Sequence, residues 1–374
     1  MLTVAAVLAI FVYGLIAPML GALLPSYGLT PEQQGSLGLL NALGLVIASL
    51  SAGPLIDLKG KKIGLVLGLC LVALSLFWAP NAGGYSGLLA VYFTLGVAGG
   101  IVVTGANSLV GDMAPERRGS ALNFLNLFFG LGGIVTTYAS SYIFKPLPLC
   151  YSIAALAVVA LLANVVAPIA KPSGELGFRL NEVPALVSRP TLILLSLLLF
   201  LYVACEVGVW NWLKSYLISA HFDPQTAGGI VSYGFAFGIL VGRVVVSRIL
   251  IKVPAVNVIL ASGVLIAVTT FVMLHVSSRT GVTLAVFCAG LAMAPVFPTA
   301  LAMVGDNFPR GTATAMGIVI TCGWIGLAVS SPIIGSVAAG STLQHGLLLL
   351  PAFACAMVLV NLVLRASLRK QLPA

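Results

Sequence analysis

Gly53-Pro54-Leu55-Ile56-Asp57-Leu58-Lys59-Gly60-Lys61-Lys62 decides how the rest of the chain is read. The stretch separates two apolar segments, each long enough to cross a membrane. Asp57 stands four residues after Gly53, where an acid can cap and pair at a helix end, favoured by the helix dipole and a neighbouring cation. Gly60 permits a tight reversal. Lys59, Lys61 and Lys62 favour the cytoplasmic side.

Composition agrees with a membrane setting. The chain has 374 residues, 60% hydrophobic and 7% charged, against roughly 25% charged in soluble domains. Its mean hydropathy is +1.13. The formal net charge of +9 does not point to nucleic acid, because the cations sit in short loops rather than in one patch. The chain opens directly in an apolar segment without a basic leader, so no cleaved signal peptide is expected. Six scattered cysteines, all in apolar stretches, show no metal or redox spacing and read as small buried residues. No cofactor or metal is expected.

A spanning helix needs about 20 mostly apolar residues. Twelve candidates are predicted, at 3–24, 33–56, 61–79, 86–112, 119–144, 148–168, 191–218, 226–250, 255–274, 281–306, 312–337 and 345–365. The longest connection, rich in Pro, Gly, Glu and Arg, divides the chain into an N-terminal half (1–169), a cytoplasmic linker (170–190) and a C-terminal half (191–374). With both termini in the cytoplasm, 15 of the 18 basic residues, Arg243 among them, fall inside or at the inner helix ends. Only Lys145, Lys214 and Arg279 fall outside, which is the positive-inside asymmetry.

The halves echo each other. Gly96 to Pro115 reads GVAGGIVVTGANSLVGDMAP, and Gly290 to Pro309 reads GLAMAPVFPTALAMVGDNFP. Each contains Val-Gly-Asp with a proline three residues after the acid, and Asp112 and Asp306 stand 194 residues apart. An Arg-Gly pair then opens the next span, at Arg118-Gly119 and Arg310-Gly311. Gly242-Arg243, near the end of the eighth span, is a candidate for a degraded second-half counterpart of the Asp57 stretch, but lacks its acid.

Polar residues inside a span are costly and are functional candidates. Glu206 is the acid predicted to lie well inside one, and Trp210, four residues on, shares its helix face. Asn211 follows. A carboxylate beside an aromatic plate suits a sugar: polar atoms take hydroxyls and the ring covers the apolar C–H face. The plainer alternative is a structural bond from Glu206 to another helix. Thr104 and Asn107 are three apart on the fourth span, Asn123 and Asn126 three apart on the fifth, and Asn41 lies in the second. Amides donate and accept, which suits a neutral polyol, although small polar residues also serve as interhelical glue. Phe297, between Pro295 and Pro298, and Trp324, behind Thr321, add aromatic candidates. The Pro295–Pro298 backbone is expected to be broken or bent. Substrate-site candidates are therefore Asn107, Asn123, Asn126, Glu206, Trp210, Asn211, Phe297 and Trp324, with Glu206 also the candidate for ion coupling. Gating candidates are Gly53, Asp57, Lys61, Asp112, Arg117 and Arg118.

The Gly53–Lys62 pattern resembles the signature loop between helices 2 and 3 of the major facilitator superfamily. The resemblance implies an all-α integral membrane protein: twelve transmembrane helices in two six-helix pseudo-symmetric halves, with a substrate site near mid-membrane between them. It also implies that the loop's acid holds the halves together in one conformation. Tyr202 to Leu217 (YVACEVGVWNWLKSYL), Ser120 to Gly133 (SALNFLNLFFGLGG) and Ala294 to Thr299 (APVFPT) resemble the fucose:proton symporter family, a sugar-transporting branch. That implies a hexose or deoxyhexose such as glucose, galactose or fucose. In that family an acid in helix 1 and another in helix 4 serve proton coupling. Here the first span has no acid and Val103 stands at the second place. The expectation is therefore a uniporter, or a symporter coupled to a proton or sodium ion through Glu206.

The expected protein is a monomer in membrane lipid, in a bacterial-type inner membrane. A drug or metabolite exporter of the same fold is the alternative. An integral-membrane transferase is remote, because His221, His275 and His345 are dispersed and form no catalytic pairing. A channel is disfavoured, since no segment has a selectivity-filter pattern.

Overall fold

In a computed structural model the described residues are 1–23, 27–143, 145–169 and 179–370, and their regular structure is helical. The long helices, in order, are α1 (Leu2–Leu23), α2 (Pro31–Lys59), α3 (Lys61–Trp78), α4 (Tyr85–Met113), α5 (Arg118–Tyr142) and α6 (Pro146–Val166). Then come α7 (Pro190–Ser219), α8 (224–249), α9 (Ala255–Met273), α10 (279–307), α11 (Thr312–Ala339) and α12 (Leu349–Lys370). Eleven of these stretches, from α2 onward, are long and apolar enough to cross a membrane. The 22-residue α1 precedes them as the twelfth. Of the expected linker 170–190, residues 170–178 lie outside the described residues.

Local chemistry sets the helix ends. Thr30 and Gln33 form a reciprocal capping box at the start of α2. The Asp223 carboxylate accepts the Thr226 N–H at 2.8 Å to open α8. Gly60 ends α2 at φ 100°, a conformation strained for any residue with a Cβ, and turns the chain into α3. As the proline spacing predicts, α10 breaks into Arg279–Met293 and Val296–Asn307. Pro298 falls in the first turn of the second piece, where its missing N–H has no intrahelical partner to lose. Residues Ile230–Ala236 of α8 are π-helical, a feature that shifts side-chain register and often marks a functional site.

The chain divides into two compact units. One comprises Met1–Arg118, Leu125–Pro184 and Phe308–Thr321; the other comprises Gly119–Phe124, Ala185–Asn307 and Cys322–Ala374. Within the first, α4 packs on α2 and α3, and α6 packs on α1 and α3. Within the second, α10 packs on α8 and α9, and α12 packs on α7 and α9. The repeat read in the sequence is thus a repeat in packing. It extends to single glycines. A Cβ on Gly44 would meet the Phe93 carbonyl oxygen at 2.4 Å, and one on Gly238, 194 residues on, would meet that of Phe287 at 2.3 Å. Such close backbone approach is how helices associate where hydrophobic burial gives no drive. Large apolar side chains such as Leu39, Leu43 and Ile47 on α2 and Val264 and Val268 on α9 remain exposed. An apolar exterior of this kind is what lipid requires, and the chain is an integral membrane protein.

Candidate substrate and gating sites

Asp57 lies in the last turn of α2 and reaches the N-terminus of α11. The backbone N–H of Ala313 donates to its Oδ1 at 3.2 Å. The N–H of Thr314 donates to Oδ2 at 2.7 Å, and so does the Thr314 hydroxyl. Two of the four orphan N–H groups of α11 are thereby satisfied by a carboxylate at the positive end of the helix dipole. A Cβ on Gly53 would meet the Ala313 carbonyl oxygen and the Thr314 Cα, both at 2.6 Å, so the glycine is what lets the two backbones come this near. Ala48, Ala52, Ile56, Ile101 and Ala313 form the buried apolar cluster behind the contact.

The other gating candidates lie on α3, α4 and the start of α5. Lys61 pairs with Asp112, and Arg118 Nη2 stands 4.0 Å from the same carboxylate. Arg118 Nε also donates to the Gly111 carbonyl at 2.8 Å. Arg117 is exposed in the turn Pro115–Arg117. Partly exposed pairs of this kind stabilise by about 0–1 kcal/mol, so the Asp57 contact is the stronger of the two.

The amides fall into two places. In the first unit, Asn126 Nδ2 donates to Asn107 Oδ1 at 2.8 Å, and Asn107 Nδ2 donates to the Val103 carbonyl at 2.8 Å. In the second, Asn123 Nδ2 donates to Gly119 O at 2.9 Å and to Thr299 Oγ1 at 3.0 Å. Asn123 and Asn126, expected on one face, therefore engage different partners. The Asn123 Oδ1 and the Thr104 hydroxyl are buried and find no partner among the described residues, which leaves hydrogen-bonding capacity unused.

On α7, Glu206 is partly buried, with Tyr202 one turn before it and Trp210 one turn after it, and the buried Tyr202 hydroxyl finds no hydrogen-bond partner among the described residues. Trp210 is 41% exposed, and its ring meets that of the buried Phe235 edge-on, centroids 5.1 Å apart. Arg243 of α8, which the charge pattern places at an inner helix end, is buried. Asn211 is exposed and donates to Ser331 Oγ at 2.8 Å. Phe297 and Trp324 are each partly buried. A cavity of about 260 Å³ in the second unit is lined by Tyr216, Phe222, His275 and Gln344, and by none of the expected substrate residues. No group of three His, Cys, Asp or Glu residues is placed to hold a metal among the described residues.

Sequence reasoning missed the partners: Ala313 and Thr314 for Asp57 and Thr299 for Asn123. The Arg-Gly-Thr echo at the start of α11 was the available signal for the first.

A family model described as Major Facilitator Superfamily matches residues 2–331, and a second match covers residues 195–373. The chain is 23% identical over 388 residues to bypass of stop codon protein 6 of Saccharomyces cerevisiae, covering 91% of this chain and 78% of that one. It is 28% identical over 246 residues to the quinolone resistance protein NorA of Staphylococcus aureus, covering 61% and 60% of the two chains. Among solved structures, FucP in an outward conformation aligns with TM-score 0.84 at 18% identity, covering 97% of this chain and 98% of that one. The human organic anion transporter MFSD10 aligns with TM-score 0.78 at 17% identity, covering 96% and 97%.

Proposed function

This chain belongs to the major facilitator superfamily, and from that premise we propose that it moves a monosaccharide, a hexose or deoxyhexose, across a bacterial-type inner membrane by alternating access. Members of the superfamily are transporters rather than enzymes. The observation that carries the sugar reading is the row on α7: a carboxyl, an indole and an amide at Glu206, Trp210 and Asn211, with part of the ring open. Such a row can take hydroxyls while the ring covers a C–H face. Asn107, Asn123, Asn126, Phe297 and Trp324 complete the candidate set. The unused acceptor of Asn123 supports a ligand role for it.

The Asp57 contact stabilises the outward-open state, with both termini cytoplasmic, and the Lys61–Asp112–Arg118 cluster assists it. The chain works as a monomer of two six-helix halves, 1–169 and 191–374, joined by the 170–190 linker. Glu206 either couples a proton or sodium ion or serves a uniporter as a sugar acceptor. The test is uptake of labelled glucose, galactose and fucose into proteoliposomes, with and without imposed proton and sodium gradients. Saturable uptake of one sugar supports the reading, and gradient-driven accumulation assigns coupling to Glu206. Absence of all three uptakes would overturn it. The likeness to NorA supports a second reading, export of a drug or metabolite, and quinolone efflux without sugar uptake would favour that one.

A further inference from the structure

In the second unit α12 begins where α7 and α9 end. The Tyr216 hydroxyl of α7, at 2.8 Å, and the Gln344 amide before α12, at 2.7 Å, both donate to the Leu274 carbonyl just after α9. The last residues of α12 therefore come down beside the first residues of α7 and α9, and α12 packs on both. The contacts fix the levels. Cys205 and Gly208 of α7 meet Leu350 of α12. Arg189 lies 16 and 19 residues before these two, and the same count onward from Leu350 reaches 366–369, each helical residue rising about 1.5 Å. A Cβ on Gly263 of α9 would meet Val358 of α12 at 2.9 Å. Eleven residues before Gly263 is Lys252, in the turn that leads into α9, and eleven after Val358 is Arg369. Arg189, Lys252, Arg365 and Arg369 thus gather at one end of three packed helices.

Arg189, Lys252 and Arg369 are exposed and Arg365 is half-buried, and among the described residues no carboxylate pairs with any of the four. Like charges gathered without a counter-charge attract an anion. Apolar stripes run up to them. On α7, Arg189 is followed at four-residue steps by the exposed Ile193 and Leu197. On α12, the exposed Leu359 and Leu362 lead at helical spacing through Ala366 to Arg369. Each stripe is a face open to hydrocarbon that ends in a guanidinium, whose planar fork fits a phosphate. A soluble anion would meet the charges and leave the stripes unused, whereas a phospholipid engages both. We propose that this end of the second unit binds an anionic phospholipid, its phosphate among the four cations and its acyl chains along the stripes of α7 and α12. The site lies at the end read as cytoplasmic, where basic clusters beside a spanning helix meet anionic headgroups, and it is independent of which substrate is carried.

The test uses the full-length protein in a neutral detergent, mixed with dioleoyl phosphatidylglycerol or dioleoyl phosphatidylcholine. Retained lipid is read by native mass spectrometry, and the melting temperature is read on the same samples. Wild type should retain phosphatidylglycerol over phosphatidylcholine at least about tenfold and melt higher with it. Arg189→Gln/Arg369→Gln should lower that preference at least about tenfold. Lys214→Gln/Arg279→Gln, which removes as many cations from the other end of the unit, should keep it. If the first double variant does not fold, Arg369→Gln alone, an exposed change in the last turn of α12, should lower the preference about fivefold. Equal retention of the two lipids by wild type overturns the proposal, and so does an unchanged preference in the Arg189 and Arg369 variants. An equal loss in Lys214→Gln/Arg279→Gln overturns it as well, because overall charge would then account for the binding. Glycerol 3-phosphate raising the melting temperature as much as phosphatidylglycerol does would also overturn it, in favour of a soluble anion.

Discussion

The end of α2 and the end of α8 occupy corresponding places in the repeat and close on their neighbours with different chemistry. At the end of α2, Asp57 takes two backbone N–H groups and a hydroxyl from the first turn of α11. At the end of α8, the Ser247 carbonyl takes one hydroxyl, from Ser120 in the first turn of α5, at 2.5 Å. Ile251, 194 residues beyond Asp57, stands where the acid would be. Hydrogen bonds to a charged group contribute about 1.5–3 kcal/mol each and neutral ones about 0.5–1.5. The helix packing recurs in both copies of the repeat, whereas the charged clasp is present in one. A transporter needs its two closed states at similar free energy, and unequal clasps are one way to set which state it rests in.

Breaking the stronger contact should have the largest effect. Asp57→Ala strands two helix N–H groups and removes three bonds, weakening the α2–α11 contact by about 4.5 kcal/mol or more. Uptake should fall at least about tenfold by that estimate, with a lower melting temperature in tryptophan-fluorescence unfolding of the purified protein. An unchanged uptake rate would show that the contact carries no gating. Gly53→Ala acts on the same place through sterics, because the backbone atoms at 2.6 Å cannot swing aside. An overpacking cost of about 1–3 kcal/mol is expected, and Asp57→Ala/Gly53→Ala should cost less than the two separately, since both open one contact. Full additivity in the melting temperatures would separate the glycine from the clasp.

Ser120→Ala probes the weaker region. Loss of one neutral bond should cost about 1 kcal/mol and change uptake less than twofold, and an effect as large as that of Asp57→Ala would erase the asymmetry. Smallest is Asp223→Asn, which alters a carboxylate that caps a helix locally at an exposed site. The hydrogen bonds from Thr226, side chain first and then backbone, hold that carboxyl below its usual range. Its contribution is therefore present above the ordinary carboxylate pKa and is lost as pH falls through the folded value. The small melting-temperature gap between wild type and Asp223→Asn should close on acidification, and a gap that widens would contradict the cap.

Spans, repeat, reversal at Gly60 and break before Val296 were legible because each rests on local composition or on glycine and proline stereochemistry. The side chains that meet were less so. The motif marks Asp57 as an anchor, but its partners lie 256 and 257 residues further on. Asn123 and Asn126 were correctly placed one turn apart. Spacing along one helix does not say which neighbouring helix each amide meets, and they bond to Thr299 and Asn107 respectively. Arg243 was counted by its charge as an inner-end cation, whereas the structure buries it, because charge alone does not say which way a side chain faces.

The most direct test of the account measures equilibrium sugar binding and proteoliposome uptake side by side in wild type and Asp57→Asn. Binding within about threefold of wild type, with uptake reduced tenfold or more, is the predicted result for a clasp that governs conformational exchange and leaves the proposed sugar site intact. Loss of binding in parallel with uptake would contradict it.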